Sequence, residues 1–217
     1  SFNSYVDMIG SIYLIGGGEI RDGETYQIDE DIKSLASEGS TFAFFGFAAQ
    51  DSVAYSDTIS SVFGSKFKVL VPTEKKGREY AISAINSSSV IYLGGGDTDQ
   101  LMRLFSEWDL VEHLIAAFER GVHIIGMSAG AQALSSWYIH EDGSVCEVRK
   151  GWGIVSVCVQ VHANPDSFDK ARSAWTSFHK ADTCPFVAIS EGAAWRIDSV
   201  GEHKVGRGDV WRLNDQE

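Results

Sequence analysis

Long hydrophobic runs are missing from this chain. No stretch approaches the ~20 consecutive apolar residues that a membrane-spanning helix requires, so a membrane partner is not expected. Basic clusters are missing as well. The 18 Lys and Arg are scattered among 30 Asp and Glu, and a net charge of −12 repels phosphate backbones, which argues against nucleic acid as a partner. Cysteine is scarce and odd in number. Cys146, Cys158 and Cys184 have no C-x-x-C spacing, so neither a disulfide framework nor a zinc site is expected, and the pattern suits a reducing cytoplasm. No basic segment followed by an apolar one opens the chain, so a retained signal peptide is not expected. With only three prolines and no Ser/Gly-rich linker, nothing marks a domain boundary. Residues 1–217 are therefore read as one domain, with Ser1 to Asp7 set apart as an extension before the first apolar run.

What is present points to an α/β fold. Apolar, β-rich runs alternate with helical periods over the first two-thirds, the signature of β-α-β units around a parallel sheet. The pattern predicts strands over Ile9 to Ile15, Thr41 to Phe47, Phe67 to Val71, Val90 to Leu93 and Val122 to Met127. Helices are predicted between them: Tyr26 to Ser37, Ala54 to Phe63, Gly77 to Asn86, Thr98 to Phe105 and Leu110 to Arg120. A later helix is expected near Asp166 to Phe178, and the chain then reads as antiparallel hairpins: Phe186 to Ser190, Ala193 to Ile197, Lys204 to Val205 and Val210 to Leu213. The expected architecture is a three-layer sandwich around a mostly parallel central sheet, with C-terminal antiparallel hairpins.

The run from Val122 to Ala131 carries Gly126-Met127-Ser128-Ala129-Gly130, an apolar strand entering Gly-x-Ser-x-Gly and leaving as a helix. This is the pattern of a nucleophile elbow, in which small residues permit a sharp turn that lifts the serine hydroxyl clear of the sheet. Ser128 is thus the candidate nucleophile. Two apolar strands also end in three glycines and an acid, at Gly16-Gly17-Gly18-Glu19 and Gly94-Gly95-Gly96-Asp97. In a parallel sheet both fall at the carboxyl edge, beside the elbow. Neither fits G-x-G-x-x-G or a P-loop, which leaves tight turns or backbone donors for an oxyanion. The N–H of Ala129 and one near Gly95 are the candidate donors.

A serine nucleophile needs a base. Of six histidines, His162 closes the apolar run Val157 to Val161 and is well placed to reach the sheet edge. The orienting acid stays open between Glu191, at the Ser190-Glu191-Gly192 turn, and Glu141 or Asp142, which follow the elbow helix.

Leu93-Gly94-Gly95-Gly96-Asp97-Thr98-Asp99-Gln100-Leu101, followed by Gly126-Met127-Ser128-Ala129-Gly130-Ala131, resembles the paired motifs of the peptidase E (aspartyl dipeptidase) and cyanophycinase family of serine peptidases. That resemblance implies a class I glutamine amidotransferase-like fold and hydrolysis of short peptides through an acyl-enzyme. It implies Ser128 as nucleophile, Gly95 and Ala129 as oxyanion donors, His162 as the histidine and Glu191 as its acid. It also puts Asp97, Thr98 and Arg172 at the substrate, with no cofactor or metal and short peptides as partners; a homodimer is a further expectation. Asp97 stands where aspartyl dipeptidases carry Asn, and His162 follows Val161 rather than Pro. Two other readings compete: an esterase of α/β-hydrolase type using Ser128, Asp182 and His203, and a small-molecule binding protein that keeps the fold without turnover.

Overall fold

The computed structural model describes residues 7–178 and 184–213. Its strands, in chain order, are β1 (Ile12–Ile15), β2 (Thr41–Phe45), β3 (Lys68–Leu70), β4 (Val90–Leu93), β5 (His123–Met127), β6 (Ser135–Asp142), β7 (Val145–Lys150), β8 (Val155–Gln160), β9 (Phe186–Ile189), β10 (Ala193–Asp198), β11 (Gly201–Gly206) and β12 (Val210–Leu213). The helices are α1 (Tyr26–Lys33), α2 (Val53–Phe63), α3 (Arg78–Ser87), α4 (Thr98–Glu107), α5 (Leu110–Glu119), α6 (Ala129–Leu134) and α7 (Pro165–Thr176). No helix among the described residues is long and apolar enough to cross a membrane.

The central sheet has the order β11-β10-β1-β5-β4-β2-β3, and its five strands from β1 to β3 run parallel. These strands are short and apolar because both faces are covered. Alternation of side chains sends Tyr13 and Ile15 to one face and Ile12 and Leu14 to the other. On the first face α1 and α2 contribute Ile28, Ile32, Ile59 and Phe63, and Phe42 stacks on Phe63 and Phe67 with ring centroids 4.7 and 5.5 Å apart. On the second face α3, α4, α5 and α6 pack against Ala43, Phe45, Ile91 and Leu93. Each fully buried large apolar side chain contributes about 1.5–3 kcal/mol by leaving water. The mostly parallel sandwich expected from the alternating pattern is the fold observed.

Of the antiparallel hairpins expected at the C-terminal end, the one joining Ala193 to Ile197 with Lys204 to Val205 forms as β10–β11, whereas the strands on either side of it pair in another sheet. A second sheet, ordered β12-β9-β8-β6-β7, packs Val155, Val157, Val159, Val187 and Ile189 onto the same core as α6. Its far side is covered by α7, which opens with Pro165 at its first turn and an Asn164 cap whose Oδ1 accepts from the Asp166 and Ser167 N–H groups at 3.0 and 2.9 Å. The segments Phe186 to Ser190 and Ala193 to Ile197 do not pair with each other. β9 lies between β8 and β12 in the second sheet, whereas β10 lies between β1 and β11 in the first. Ser190-Glu191-Gly192 is therefore a crossover between sheets and not a hairpin turn. Gly192 N–H donates to Gly17 O at 3.0 Å and Gly16 N–H to Ala193 O at 3.0 Å, so this crossover is tied to the loop after β1.

Candidate active site

The neighbouring strands β1, β5 and β4 end together, which brings the two glycine triplets to either side of the elbow. Ser128 follows β5 with a φ of 52°, a positive value that a non-glycine residue adopts only under strain. Its N–H is anchored to Ile15 O at 2.9 Å and its own carbonyl starts α6 by accepting from Gln132 N–H at 3.0 Å. The flanking glycines are required by contact. A methyl on Gly130 would lie 2.2 Å from Leu93 O, and one on Gly126 would lie 2.6 Å from Ala131 N, so any side chain would push α6 off the sheet.

His162 sits just beyond β8, also strained at a φ of 51°, and donates its N–H to Gly16 O at 2.8 Å. Its ring rests on Gly17, where an added methyl would lie 2.4 Å from Cε1 and 2.5 Å from Nδ1. The result is a continuous series of polar contacts. Ser128 Oγ is 2.8 Å from His162 Nε2, and His162 Nδ1 is 3.1 Å from Glu191 Oε1. The neutral tautomer that satisfies both bonds carries its proton on Nδ1, donated to Glu191, and leaves Nε2 to accept from the serine hydroxyl. The first glycine triplet thus positions the histidine and the Glu191 crossover, a role that its sequence alone left as a tight turn or a source of backbone donors for an oxyanion.

The other two acids are bonded or placed away from the His162 ring nitrogens. Glu141 Oε1 accepts from Gln160 Nε2 at 2.8 Å, and Asp142 ends β6 opposite Val145 in the β6–β7 hairpin. Of the residues of the esterase reading, His203 lines neither cleft at Ser128 and has its Nε2 3.1 Å from Asp198 Oδ1 on the β10–β11 hairpin, and Asp182 lies outside the described residues.

Two clefts meet at Ser128 and His162, which line both of them together with Gly96. The first, about 630 Å³, is bordered by Gly17, Ile20, Arg21, Tyr55, Gly95 and Met127. The second, about 490 Å³, is bordered by Asp97, Thr98, Asp99, Tyr138, Glu141 and Arg149. Both lie within the ~300–1,000 Å³ common for small-ligand sites. Asp97 caps α4, its Oδ1 accepting from Asp99 and Gln100 N–H at 2.9 and 3.2 Å, so its charge is met by the helix start. Thr98 hydrogen-bonds Gln132 on α6. Arg172 is exposed on α7 and lines neither cleft. The arginine facing the second cleft is instead Arg149 on β7, paired with Glu147 at 3.1 Å and near Asp99 at 3.8 Å. Its position on a strand of the unanticipated second sheet kept it out of the sequence reading. The Gly95 N–H expected to face an oxyanion is directed to Tyr55 Oη at 3.0 Å, a contact between residues 40 positions apart that no local pattern announces.

Comparison with known proteins converges on one family. The model of peptidase family S51 matches residues 12–204. An uncharacterized peptidase of Bacillus subtilis (strain 168), YgaJ, is 32% identical over 127 residues, 55% of this chain and 54% of that protein. The chain thus spans about half the length of the curated relative it matches. Among solved structures, a peptidase from an acI-B1 actinobacterium superposes with a TM-score of 0.70 at 22% identity, over 97% of this chain and 93% of that one. A Listeria monocytogenes EGD-e protein described as a candidate peptidase E superposes with a TM-score of 0.64 at 15% identity, over 94% of this chain and 98% of that one.

Proposed function

The chain belongs to peptidase family S51, and on that premise we propose that it is a serine peptidase cleaving short peptides through an acyl-enzyme on Ser128. The observation that carries this reading is the unbroken series Glu191–His162–Ser128, with contacts of 3.1 and 2.8 Å. As Ser128 Oγ attacks the peptide carbonyl, His162 Nε2 takes the hydroxyl proton and the carbonyl oxygen becomes an oxyanion. Ala129, first residue of α6, has an N–H without an intrahelical acceptor and is one donor to that oxygen. When the tetrahedral intermediate collapses, the C–N bond breaks and the imidazolium gives its proton to the leaving amine. Water then attacks the ester with His162 as base, and the proton returns to Ser128 Oγ. Glu191 keeps the imidazole in the required tautomer and stabilises its charged form.

Because both clefts open onto the same Ser–His pair, one seats the acyl side of the scissile bond and the other the leaving side. The second cleft carries Asp97, Asp99 and Glu141 against Arg149, so Arg149, in place of Arg172, is the cation available there to a substrate carboxylate.

The test is a library of dipeptides and isoaspartyl peptides presented to the wild type and Ser128→Ala, with fluorophosphonate labelling of the folded proteins. Turnover and labelling are expected in the wild type only. Full turnover by Ser128→Ala on every peptide that the wild type cleaves would refute the mechanism. A wild type that neither labels nor cleaves would favour binding without catalysis. Loss of ester hydrolysis in His203→Ala but not in His162→Ala would restore the esterase reading.

A further inference from the structure

The loop lying against the nucleophile does not leave its central amide free. A methyl on Gly95 would sit 3.4 Å from Ser128 Cβ, so the loop borders the serine closely, yet the Gly95 N–H is given to Tyr55 Oη at 3.0 Å. Tyr55 projects from α2 with its ring held on Phe44, centroids 4.8 Å apart, and it lines the first cleft beside Ser128, Met127 and His162. A phenol can accept and also donate one hydrogen bond. The oxygen of Tyr55 accepts from Gly95, while its proton has no acceptor among the described residues. Burial pushes the phenol up to about 12, so the proton is retained at neutral pH. Accepting a bond from Gly95 also polarises the O–H and makes it a stronger donor.

We propose that Tyr55 is a catalytic residue: its hydroxyl, polarised by the Gly95 N–H, joins the Ala129 N–H in holding the oxyanion formed at Ser128. The inference rests on the serine-peptidase reading of Ser128 and moves the second donor from the backbone of the glycine loop to a side chain on α2. Gly95 then acts through Tyr55. No proton leaves the phenol; the O–H hydrogen bond strengthens as charge builds on the carbonyl oxygen and weakens when the intermediate collapses.

The test compares Tyr55→Phe and Tyr55→3-fluorotyrosine with the wild type, using a peptide cleaved by the wild type and a fluorophosphonate probe. Phenylalanine keeps the packing on Phe44 and removes only the hydroxyl. Its kcat and fluorophosphonate labelling rate are expected to fall roughly 100- to 1000-fold with KM changed by less than about threefold. The fluorinated ring keeps the hydroxyl and makes it more acidic, so its kcat is expected to equal or exceed that of the wild type. Wild-type kcat and labelling in Tyr55→Phe would overturn the inference. So would a slow Tyr55→Phe whose loss lies in KM alone, since a group that only orders the cleft weakens ground-state binding. Should Tyr55→Phe fail to fold, the fluorinated protein decides, because a rate below that of the wild type contradicts an oxyanion donor. Ser128→Ala separates the two claims: turnover by that variant removes the serine mechanism itself, whereas an inactive Ser128→Ala beside a fully active Tyr55→Phe removes only the role of Tyr55.

Discussion

Substituting Gly17 by alanine puts a methyl group where the imidazole of His162 now rests. The added Cβ would lie 2.4 Å from Cε1 and 2.5 Å from Nδ1, and 3.3 Å from Glu191 Cγ. Carbon atoms settle at about 3.5–4.0 Å, so the ring must retreat by roughly 1 Å. The Ser128–His162 contact, now 2.8 Å, does not survive such a displacement as a well-formed hydrogen bond. A misplacement of about 1 Å in a catalytic constellation lowers the rate by about 100-fold, or about 2.7 kcal/mol of barrier. Alanine at Gly17 also inherits a φ of 143°, so some destabilisation of the whole protein, about 1–3 kcal/mol, accompanies the local effect. Gly18→Ala is the comparison that separates the two, because Gly18 has a φ of 124° and its added methyl meets Thr25 Cγ2 at 2.9 Å instead of the imidazole. Fluorophosphonate labelling and peptide turnover, measured well below the melting temperature of each variant, give the result. Gly17→Ala is expected to be slower than Gly18→Ala by about tenfold or more, at comparable loss of melting temperature. Equal rates in the two variants would show that Gly17 does not seat the imidazole.

Glu191→Gln preserves shape but removes the carboxylate that selects the Nδ1–H tautomer; with Glu191 62% exposed in its side chain, kcat is expected to fall by roughly 100-fold, below the ~10⁴ typical of a buried triad acid. Asp142→Asn, measured in the same assay, is expected to leave kcat within about twofold, and the reverse ranking would hand the role to Asp142. A third expectation concerns stability. Asp29 is 3% exposed, has one oxygen bonded to Thr25 Oγ1 at 2.9 Å and the other without a partner among the described residues, and burial pushes its carboxyl up to about 6 from an ordinary 3.8. Since the folded state holds this proton more tightly than the unfolded one, the stability it contributes is present below about pH 4 and lost as pH rises through about 6, a change of about 3 kcal/mol. Asp29→Asn, which keeps an acceptor for Thr25, is therefore expected to exceed the wild type in urea unfolding at pH 7.5 and to lose that advantage towards pH 4; an advantage independent of pH would refute the assignment.

The parts of this molecule that could be read from its sequence are those set by local periodicity and by sterics at a single turn. Val90–Leu93 is a strand because four consecutive apolar residues are bounded by Ser and Gly, and the Ser128 elbow is recognisable because only glycine is tolerated at Gly126 and Gly130. Pairing over long distances left no comparable mark. Phe186–Ile189 and Ala193–Asp198, separated by a short glycine-containing turn, have the local pattern of a hairpin, and they belong to different sheets because Gly192 and Ala193 bond to the loop after β1 instead. The same long-range bonds explain why the acid could not be chosen from position. Glu191 faces His162 only because the Gly17 carbonyl holds its neighbour Gly192 and the Gly16 carbonyl holds His162 itself. Two residues 29 apart in the chain are thus aligned by a third segment more than 100 residues earlier, and that segment has to be glycine, since any side chain at Gly17 would occupy the space of the imidazole. The first glycine triplet therefore belongs to the His–Glu half of the site and the second to the serine half, with Tyr55 joined to the second by its hydroxyl. If the reaction depends on both halves, substitutions at Gly17 and Tyr55 remove different interactions of the same attacking step. The first withdraws the base and slows every reaction of Ser128, including its loss of a proton to His162; the second leaves the base in place and weakens only the interactions that grow with charge on the carbonyl oxygen.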